Sequence, residues 1–379
     1  MKKIISILLN NIFKIFKIKS NRIVFEAGRG LVDGNVYAIY DYIKNNCSDK
    51  FETIWLVNKD TDITLLNKED FVYYKTLKSY YYLATAHYWI RNQSLGSIIK
   101  KRKGQIYIQL WHGNGGMKHM GYDVHNEKNR VEYDHVKEWD YYIANDELDA
   151  KKIVSATGFK GKVEILGMAC FDTTLKLVND NDFKEKVLNE LNISKKNWNK
   201  QIVLYVPTFR DFDLEKEEIN VPIEKLSKLK DKLIFVRLHP LVRKKINMNL
   251  FKKSNMINVC DYSNASDLLA ICDILITDYS SIFFQYSPLD KPIVFYPYDF
   301  EQYVQLRGGF YLNYEKDLPG PICYKEEDLF EVINNIDKYY KKFKTKQNKF
   351  NKEHNYCADG KSSKRFVDKL INKEFDEGR

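Results

Sequence analysis

The chain has 379 residues, of which 44% are hydrophobic and 14% aromatic, and its formal net charge is +10. This apolar content is enough for packed cores and excludes a wholly disordered chain. The length suits two domains, and the positive charge is compatible with nucleic acid, anionic lipid or phosphorylated substrates without choosing among them.

The first predicted element is an amphipathic segment at residues 1–20, MKKIISILLNNIFKIFKIKS, in which asparagines and lysines interrupt the apolar residues at helical spacing. It is too short and too interrupted to span a bilayer, and no small-residue cleavage site follows it, which argues against a signal peptide. Because it carries several lysines and no acidic residue, it predicts a helix lying on an anionic membrane surface. The alternative is an ordinary surface helix that packs on the body of the protein.

Short runs rich in β-branched and aromatic residues follow, with helical stretches between several of them. We predict strands at Ile23–Ala27, Thr53–Val57, Phe71–Tyr74, Tyr88–Asn92, Gln105–Trp111, Asp140–Ala144 and Val163–Leu166, and helices at Val36–Ile43 and Leu77–Ala84. Strands that alternate with helices indicate a parallel sheet covered on both faces.

A second series with the same alternation follows a polar stretch at Ser194–Lys200. It predicts strands at Ile202–Val206, Leu233–Leu238, Ile257–Val259, Ile274–Thr277 and Pro292–Tyr296, with helices that include Ser266–Ile271 and Glu326–Tyr340. Two series predict two Rossmann-like domains, residues 21–196 and 197–342. The lysine-rich sequence of residues 343–379 predicts helices with solvated charged faces. One possible arrangement is that these helices pack against the first domain.

The strand ends of the second series carry unusually polar residues. Doubly wound sheets bind ligands beyond the carboxyl ends of their strands, so these residues are the first candidates for a site. They are Thr208, Arg210, Arg237, His239, Thr277, Asp278, Ser280 and Ser281, to which a later loop adds Arg307. Guanidinium groups bind phosphate through paired hydrogen bonds, and a helix start adds N–H donors. The set predicts a pocket for a diphosphate.

Each of these residues also has a simpler interpretation. Ser280 or Ser281 could serve only as a helix N-cap. Asp278 could only orient a backbone turn, and Arg210 could pair with a nearby aspartate, Asp211 or Asp213. An isolated histidine such as His239 is more often structural than catalytic.

The first series contributes the segment WHGNGGMK, which begins at Trp111. His112 follows the predicted strand end, and a neutral histidine can accept a proton from an attacking hydroxyl near pH 7. The glycines permit close backbone approach, although the spacing matches neither common phosphate-loop motif. His112, His119 and His125 lack metal-ligand spacing, and the six cysteines show no C-x-x-C pair, so no metal site is predicted.

Five motifs in this order resemble the CDP-glycerol glycerophosphotransferase family of teichoic acid synthesis. They are Gln109–Gly113 (QLWHG), Pro207–Asp211 (PTFRD), Arg237–Pro240 (RLHP), Thr277–Ser281 (TDYSS) and Arg307–Tyr311 (RGGFY). Each motif alone is weak, but five in order are specific, and the resemblance extends from about Ile23 to Lys342.

The resemblance implies a GT-B-like α/β fold, with two Rossmann-type domains facing a central cleft, and a peripheral enzyme on the cytoplasmic face of the bacterial membrane. Such an enzyme transfers a polyol phosphate from CDP-glycerol or CDP-ribitol to a hydroxyl of a lipid-linked glycan and releases CMP, without a cofactor. By likeness, His112 is the general base. His239 is also catalytic and, with Arg210 and Arg237, neutralises phosphate charge, while the other polar strand-end residues line the donor site.

The sequence departs from the family pattern after His112, where many relatives continue His-Gly-Thr-Pro. Here Gly113, Asn114 and Lys118 occupy the loop that we expect to face the acceptor. The two-domain size suits a single-addition enzyme somewhat better than a long-chain polymerase.

Two other functions are compatible with these observations. One is a glycosyltransferase of the same architecture that uses a nucleotide sugar, because the fold does not determine the chemistry. The other is a basic nucleic-acid-binding protein, but no RNA- or DNA-binding motif is present, so no nucleic-acid partner is predicted.

Overall fold

The computed structural model describes residues 11–93, 99–111, 117–124, 130–210, 213–253 and 255–372, apart from the side chains of Arg29, Asp134 and Arg307. The chain forms two compact units. The first contains the described residues of Met1–Gly115, Met120–Thr173 and Tyr356–Arg379. The second contains those of Gly116–His119 and Thr174–Asn355.

The first unit is built on a seven-stranded parallel sheet with strand order β3-β2-β1-β4-β5-β6-β7. Its strands are β1 Lys19–Glu26, β2 Glu52–Val57, β3 Phe71–Tyr73, β4 Ala86–Arg91, β5 Ile106–Gln109, β6 Tyr141–Ala144 and β7 Lys162–Ile165. Alternate residues of a strand face opposite sides of a sheet. Accordingly, Ile23 and Phe25 belong to one hydrophobic cluster and Val24 to another, so both faces of this sheet are covered.

The helices that accompany this sheet are α1 Gly34–Asn46, α2 Leu77–Thr85, α3 Glu147–Thr157 and α4 Ala169–Leu177. A later part of the chain also joins the first unit, through α12 Ser362–Phe366 and a π-helical turn at Val367–Asn372. Phe366, Val367, Leu370 and Ile371 are buried in the same cluster as Ile23 and Phe25. Residues 356–372 therefore complete one face of the core of the first unit.

The second unit is built on a five-stranded parallel sheet with order β10-β9-β8-β11-β12. Its strands are β8 Gln201–Val206, β9 Lys232–Val236, β10 Met256–Asn258, β11 Ile274–Thr277 and β12 Ile293–Phe295. Its helices are α5 Asn181–Glu190, α6 Ala265–Ile271, α7 Ile282–Tyr286, α8 Phe300–Arg307, α9 Tyr314–Asp317, α10 Glu326–Asn334 and α11 Ile336–His354. The strands read as continuous apolar runs because both faces are buried.

Each of the twelve predicted strands overlaps a strand of the structure. The largest shift is in β1, which begins at Lys19 instead of the predicted Ile23. The strand β5 ends at Gln109 instead of Trp111, whose backbone is left-handed with φ of 53°. The predicted helix Glu326–Tyr340 is two helices that break at Asn335, whose φ of −116° and ψ of 33° are not helical.

The second unit begins at Thr174, earlier than the predicted join near Ser194–Lys200. Contacts between α5 and α6, and a hydrogen bond of 2.7 Å from Gln285 Nε2 to Thr174 Oγ1, assign this segment to the second unit. The helix α11 also belongs to the second unit, whereas the chain from Tyr356 onward returns to the first.

Residues 1–10 of the predicted amphipathic helix lie outside the described residues. The described part includes a short 3₁₀ turn at Phe13–Ile15. The rings of Phe13 and Phe16 contact Tyr81 of α2 edge-on, at centroid distances of 6.0 and 5.4 Å. Nowhere in the described part of the chain is a helix long and apolar enough to cross a membrane.

Candidate functional site

The candidate site lies at the carboxyl edge of the second sheet. β8 is the central strand of this sheet. It pairs with β9, the next strand in the chain, on one side and with β11 on the other. The chain direction across the sheet therefore reverses between β8 and β11, and ligands bind to such sheets beyond this switch point. The loops that leave β8 at Pro207 and β11 at Asp278 start there, as predicted from their polar residues.

Asp278 joins these two loops. It is fully buried, and its Oδ1 accepts hydrogen bonds from the backbone N–H groups of Thr208 at 2.8 Å and Tyr279 at 2.5 Å. Its Oδ2 lies 2.8 Å from Nη1 of Arg210. The Asp278 carboxylate therefore orients the backbone of both loops, which is the simpler of its two sequence-based interpretations.

Arg210 is buried against two carboxylates. Besides Asp278, it contacts Asp299 through two bonds, Nε to Oδ2 at 2.6 Å and Nη2 to Oδ1 at 2.8 Å. Burial alone would lower the pKa of Arg210, but Asp278 and Asp299 outweigh burial and raise that pKa above its ordinary value. The guanidinium therefore stays charged and is held in one orientation.

Aromatic rings enclose this ion cluster. The guanidinium carbon of Arg210 lies 4.9 Å from the ring centroid of Tyr279, 5.2 Å from that of Tyr298 and 5.3 Å from that of Tyr303. The Tyr279 hydroxyl also donates to Asp299 Oδ1 at 2.9 Å. The cluster therefore combines ion pairing with cation–π contacts in a largely desolvated setting.

These contacts differ from the prediction that Arg210 binds donor phosphate, because two aspartates already occupy its guanidinium. Of the two aspartates in the alternative interpretation, Asp213 contacts Arg210 through backbone atoms, and Asp211 lies outside the described residues. Asp299 was missed in the sequence. It follows β12 just as Asp278 follows β11, so the same strand-end rule could have found it.

The hydroxyl groups near the switch point have different surroundings. Thr277 Oγ1 donates to the Val206 carbonyl at 2.7 Å, so this hydroxyl links β11 to β8. Thr208 Oγ1 is buried and has no hydrogen-bond partner within the described ranges. Ser280 Oγ accepts from Ile282 N at 3.4 Å, whereas Ser281 occupies the N-cap position of α7 without a side-chain capping bond. The simple capping interpretation therefore does not explain Ser281.

Arg237 and His239 follow β9 and are both half-buried. Arg237 Nη1 donates to the carbonyls of Val259 at 3.2 Å and Tyr262 at 2.5 Å, which ties it to the loop after β10. The His239 ring packs on Phe209 at 4.6 Å, and its Nδ1 accepts from Leu241 N at 3.3 Å. A neutral His239 with this bond carries its proton on Nε2 and presents a hydrogen-bond donor there.

A carboxylate pair shares the Tyr262 hydroxyl close to Arg237. This hydroxyl lies 3.0 Å from Glu190 Oε2 and 3.3 Å from Asp267 Oδ2. The pKa of Asp267 is raised to about 6, first by burial and also by the Glu190 carboxylate, although the Tyr262 hydrogen bond lowers it. Folding therefore favours the protonated form of Asp267.

This shift predicts a pH-dependent stability. The unfolded carboxyl ionises near pH 3.9, so between about pH 4 and 6 the folded state holds more protons and its stability falls as the pH rises. Above pH 6 both states are ionised and the effect is constant. We expect Asp267→Asn to flatten this part of the curve of unfolding free energy against pH, measured by urea denaturation, whereas Asp182→Asn, at an exposed carboxylate, keeps it. Parallel curves for wild type and Asp267→Asn would contradict the assignment.

Lys118 lies beside the Arg307–Tyr311 motif within the second unit. It forms an antiparallel bridge with Phe310, and Tyr311 N donates to the Met117 carbonyl at 3.0 Å. The Nδ1 atom of the next residue, His119, donates to the Gly308 carbonyl at 2.9 Å. The sequence assigned Lys118 to the acceptor and Arg307 to the donor, but the structure places the two segments side by side. The Arg307 side chain lies outside the description.

The predicted base His112 and the loop residues Gly113 and Asn114 lie outside the described residues. The chain that leads to them ends at Trp111. Trp111 is buried against the rings of Tyr133 and Trp139, and its backbone N–H donates to Gln109 Oε1 at 3.0 Å. A left-handed φ is uncommon for a bulky residue, and such backbone positions cluster at functional sites.

Two Rossmann-like parallel sheets, with a polar switch point in the second, define an α/β protein of the doubly wound class. The model of the family CDP-Glycerol:Poly(glycerophosphate) glycerophosphotransferase matches residues 8–372. The chain belongs to this family, and it is a transferase of teichoic acid biosynthesis.

Individual relatives agree with this family. A teichoic acid poly(glycerol phosphate) polymerase of Bacillus spizizenii is 32% identical, over 92% of this chain and 91% of its own length. The teichoic acid glycerol-phosphate primase of Bacillus subtilis is 34% identical over 73% of this chain and 71% of its own. The solved structure of the wall teichoic acid polymerase TagF superimposes with a TM-score of 0.87 at 25% identity, over 98% of this chain and 94% of that one. A further TagF structure is of a histidine variant soaked with CDPG.

The B. spizizenii relative corrects one sequence-based inference. We expected the two-domain size to suit single addition better than polymerisation. However, this chain spans 91% of a protein named as a polymerase. The size of the chain therefore does not separate a primase from a polymerase.

Proposed function

We propose that this transferase moves glycerol phosphate from CDP-glycerol to a hydroxyl of a lipid-linked glycan and releases CMP. The family description and the TagF structure soaked with CDPG support the choice of donor. The observation that carries the proposal is the switch point of the second sheet, where a buried carboxylate orients the loops that hold Thr208 and Ser280. Such loops, next to a helix start, suit a diphosphate.

The contacts described above support different roles for the site residues. Thr208, Ser280 and Ser281 supply hydroxyls to the donor, and Arg237 with His239 supplies hydrogen-bond donors to its phosphates. Arg210, Thr277 and Asp278 act through other residues, because the protein contacts described above already occupy their polar groups. We assign them to positioning of the two switch-point loops. Arg307 and Lys118 are assigned to the charged groups of donor and acceptor, respectively.

The proposed reaction is a direct displacement at phosphorus. The acceptor oxygen forms a bond to the phosphorus that carries the glycerol, and the bond from this phosphorus to the bridging oxygen breaks, so that CMP leaves. His112 takes the proton from the acceptor hydroxyl, while Gly113 and Asn114 contact the acceptor. Positioning and charge neutralisation supply most of the rate in phosphoryl transfer.

A donor panel tests this function. Purified protein is incubated with a short lipid-linked glycan and, separately, CDP-glycerol, CDP-ribitol or UDP-sugars. We expect CMP release from CDP-glycerol, with a product heavier by one glycerol phosphate per addition in mass spectrometry. A preference for CDP-ribitol would show that the transferred group is ribitol phosphate instead of glycerol phosphate. UDP release with transfer of a sugar would instead support the glycosyltransferase alternative.

We also propose that the amino-terminal segment binds the anionic cytoplasmic face of the membrane. Ile12, Ile15 and Phe16 are exposed, with 79% of Ile15 accessible, and Leu77 of α2 is exposed as well. Lysines are interspersed with these apolar side chains and no acidic residue occurs up to Glu26. Exposed apolar residues with basic neighbours are typical of surfaces that lie on anionic lipid.

Vesicle flotation tests this membrane contact. Each basic residue near an anionic surface contributes about 1 kcal/mol, so replacing Lys14 and Lys17 with glutamine is expected to reduce binding by roughly tenfold or more. Lys349→Gln with Lys352→Gln, on the exposed side of α11, is the matched control. Equal flotation of both double variants on phosphatidylglycerol vesicles would argue against the amino-terminal contact.

A further inference from the structure

An open cavity lies beside the ion cluster of the second unit. It begins where β12 ends, at the start of α8, and has a volume of about 660 Å³. Ligand pockets typically occupy about 300–1,000 Å³, so the cavity is large enough for one or two sugar rings. Its lining includes Tyr298, Phe300, Glu301, Gln302, Glu315 and Tyr324.

Aromatic side chains form one part of this lining. Tyr298 and Tyr324 are 37% and 40% exposed, which is high for large aromatic residues. The ring of Phe300 lies 5.9 Å from that of Tyr324, at an angle of 73°. These contacts hold the Tyr324 ring against an aromatic neighbour while part of it remains accessible to a ligand.

Polar acceptors form the other part. The Tyr324 hydroxyl donates to Glu315 Oε1 at 3.3 Å, which orients that carboxylate. Glu301 and Gln302 are exposed on the first turn of α8. Asp299 also lines the cavity, but both of its oxygens already bind Arg210 and Tyr279. No basic residue is among the described residues that line it.

A lining of aromatic rings and carboxylates disfavours phosphate and favours neutral hydroxyl groups. Carboxylates at one surface repel an anionic ligand, even on a chain with a positive net charge. Carboxylates accept strong hydrogen bonds from hydroxyls, and the apolar C–H face of a sugar ring can pack on an aromatic ring. The diphosphate of the donor is therefore a poor match, whereas an uncharged carbohydrate fits both parts of the lining.

We propose that this cavity binds an uncharged sugar ring of the glycan acceptor, an inference that rests on the proposed function. Tyr324 provides the stacking surface, and Glu301 and Glu315 accept hydrogen bonds from the sugar hydroxyls. Asp299 couples the cavity to the donor site, since the same residue anchors Arg210. The sugar would thus be recognised next to the switch-point loops, in the second unit.

Two measurements on the full-length protein test the cavity. The first is saturation-transfer NMR with the neutral disaccharide N,N′-diacetylchitobiose, which is expected to show contact with wild-type protein. The second is steady-state kinetics with CDP-glycerol and a lipid-linked glycan. Tyr324→Ala is expected to raise the KM for the glycan about tenfold, and Glu301→Gln to raise it severalfold, with the KM for CDP-glycerol unchanged.

Matched controls are Tyr73→Ala, a partly exposed tyrosine on the edge strand β3, and Glu217→Gln, an exposed glutamate of the second unit. Neither should change the KM for the glycan or the NMR signals. The proposal would be overturned if the wild type showed no saturation transfer, or if the signals persisted in Tyr324→Ala. It would also be overturned if Tyr324→Ala left the KM for the glycan unchanged. If the wild type releases no CMP from CDP-glycerol, the proposed function fails, while the NMR measurement still decides whether the cavity binds sugar.

Discussion

Replacing His112 with glutamine is expected to lower kcat for CMP release from CDP-glycerol by about 10²–10⁴, the usual effect of losing a general base. Glutamine keeps a polar side chain of similar size but cannot accept the proton of the attacking hydroxyl. Equilibrium binding of CDP-glycerol should stay within about twofold, because the proposed base acts on the acceptor. The measurement is single-turnover CMP release combined with donor binding by calorimetry.

The control for this variant is His87→Gln. His87 lies near the amino end of β4 in the first unit, where its Nδ1 is 2.8 Å from the Gly104 carbonyl. Ligands bind at the opposite edge of such a sheet, so this change should leave turnover unaffected. If the turnover of His112→Gln stayed within about threefold of the wild type, His112 would not be the general base. Weakened donor binding would instead assign it to the donor site.

The second large effect concerns stability. Arg210→Met is expected to reduce the free energy of unfolding by about 3–5 kcal/mol, because it leaves two buried carboxylates without their cation. Asp278 is fully buried and could not regain its hydration without opening the loops, and only 8% of the Asp299 side chain is exposed. Urea denaturation monitored by tryptophan fluorescence provides the measurement.

Two further variants make the Arg210 result specific. Arg243→Met removes an exposed ion pair with Asp261, and exposed pairs contribute about 0–1 kcal/mol, so little change is expected. Adding Asp299→Asn to Arg210→Met removes one unpaired charge and should recover part of the loss. A decrease below about 1 kcal/mol for Arg210→Met, or no recovery in the double variant, would show that the ion cluster does not stabilise the second unit.

Much of the fold could be predicted because its cause is local. A strand buried on both faces must be apolar throughout, so runs such as Ile274–Thr277 mark strands without knowledge of their neighbours. The edge that carries the site could be predicted for a similar reason. In parallel sheets all carboxyl ends meet at one edge, so polar residues after β8, β9 and β11 had to converge.

The partners within the site could not be predicted, because they depend on distant parts of the chain. The Arg210 side chain binds Asp299, which lies 89 positions away, whereas the nearby Asp213 contacts Arg210 through backbone atoms. Burial decides this choice, since a desolvated guanidinium needs carboxylates fixed on both sides. The packing of Lys118 beside Phe310 has the same origin, because no local pattern links these two segments.

The three-segment composition of the first unit has a consequence during synthesis. Most of the second unit, from Thr174 to Asn355, is continuous and can fold as soon as it leaves the ribosome. The first unit still lacks Phe366, Leu370 and Ile371 at that moment, so the face of its sheet that α1 also covers remains partly exposed. The earliest part of the chain to be translated is therefore the last to mature, and a chaperone that shields apolar strands has its longest opportunity to act there.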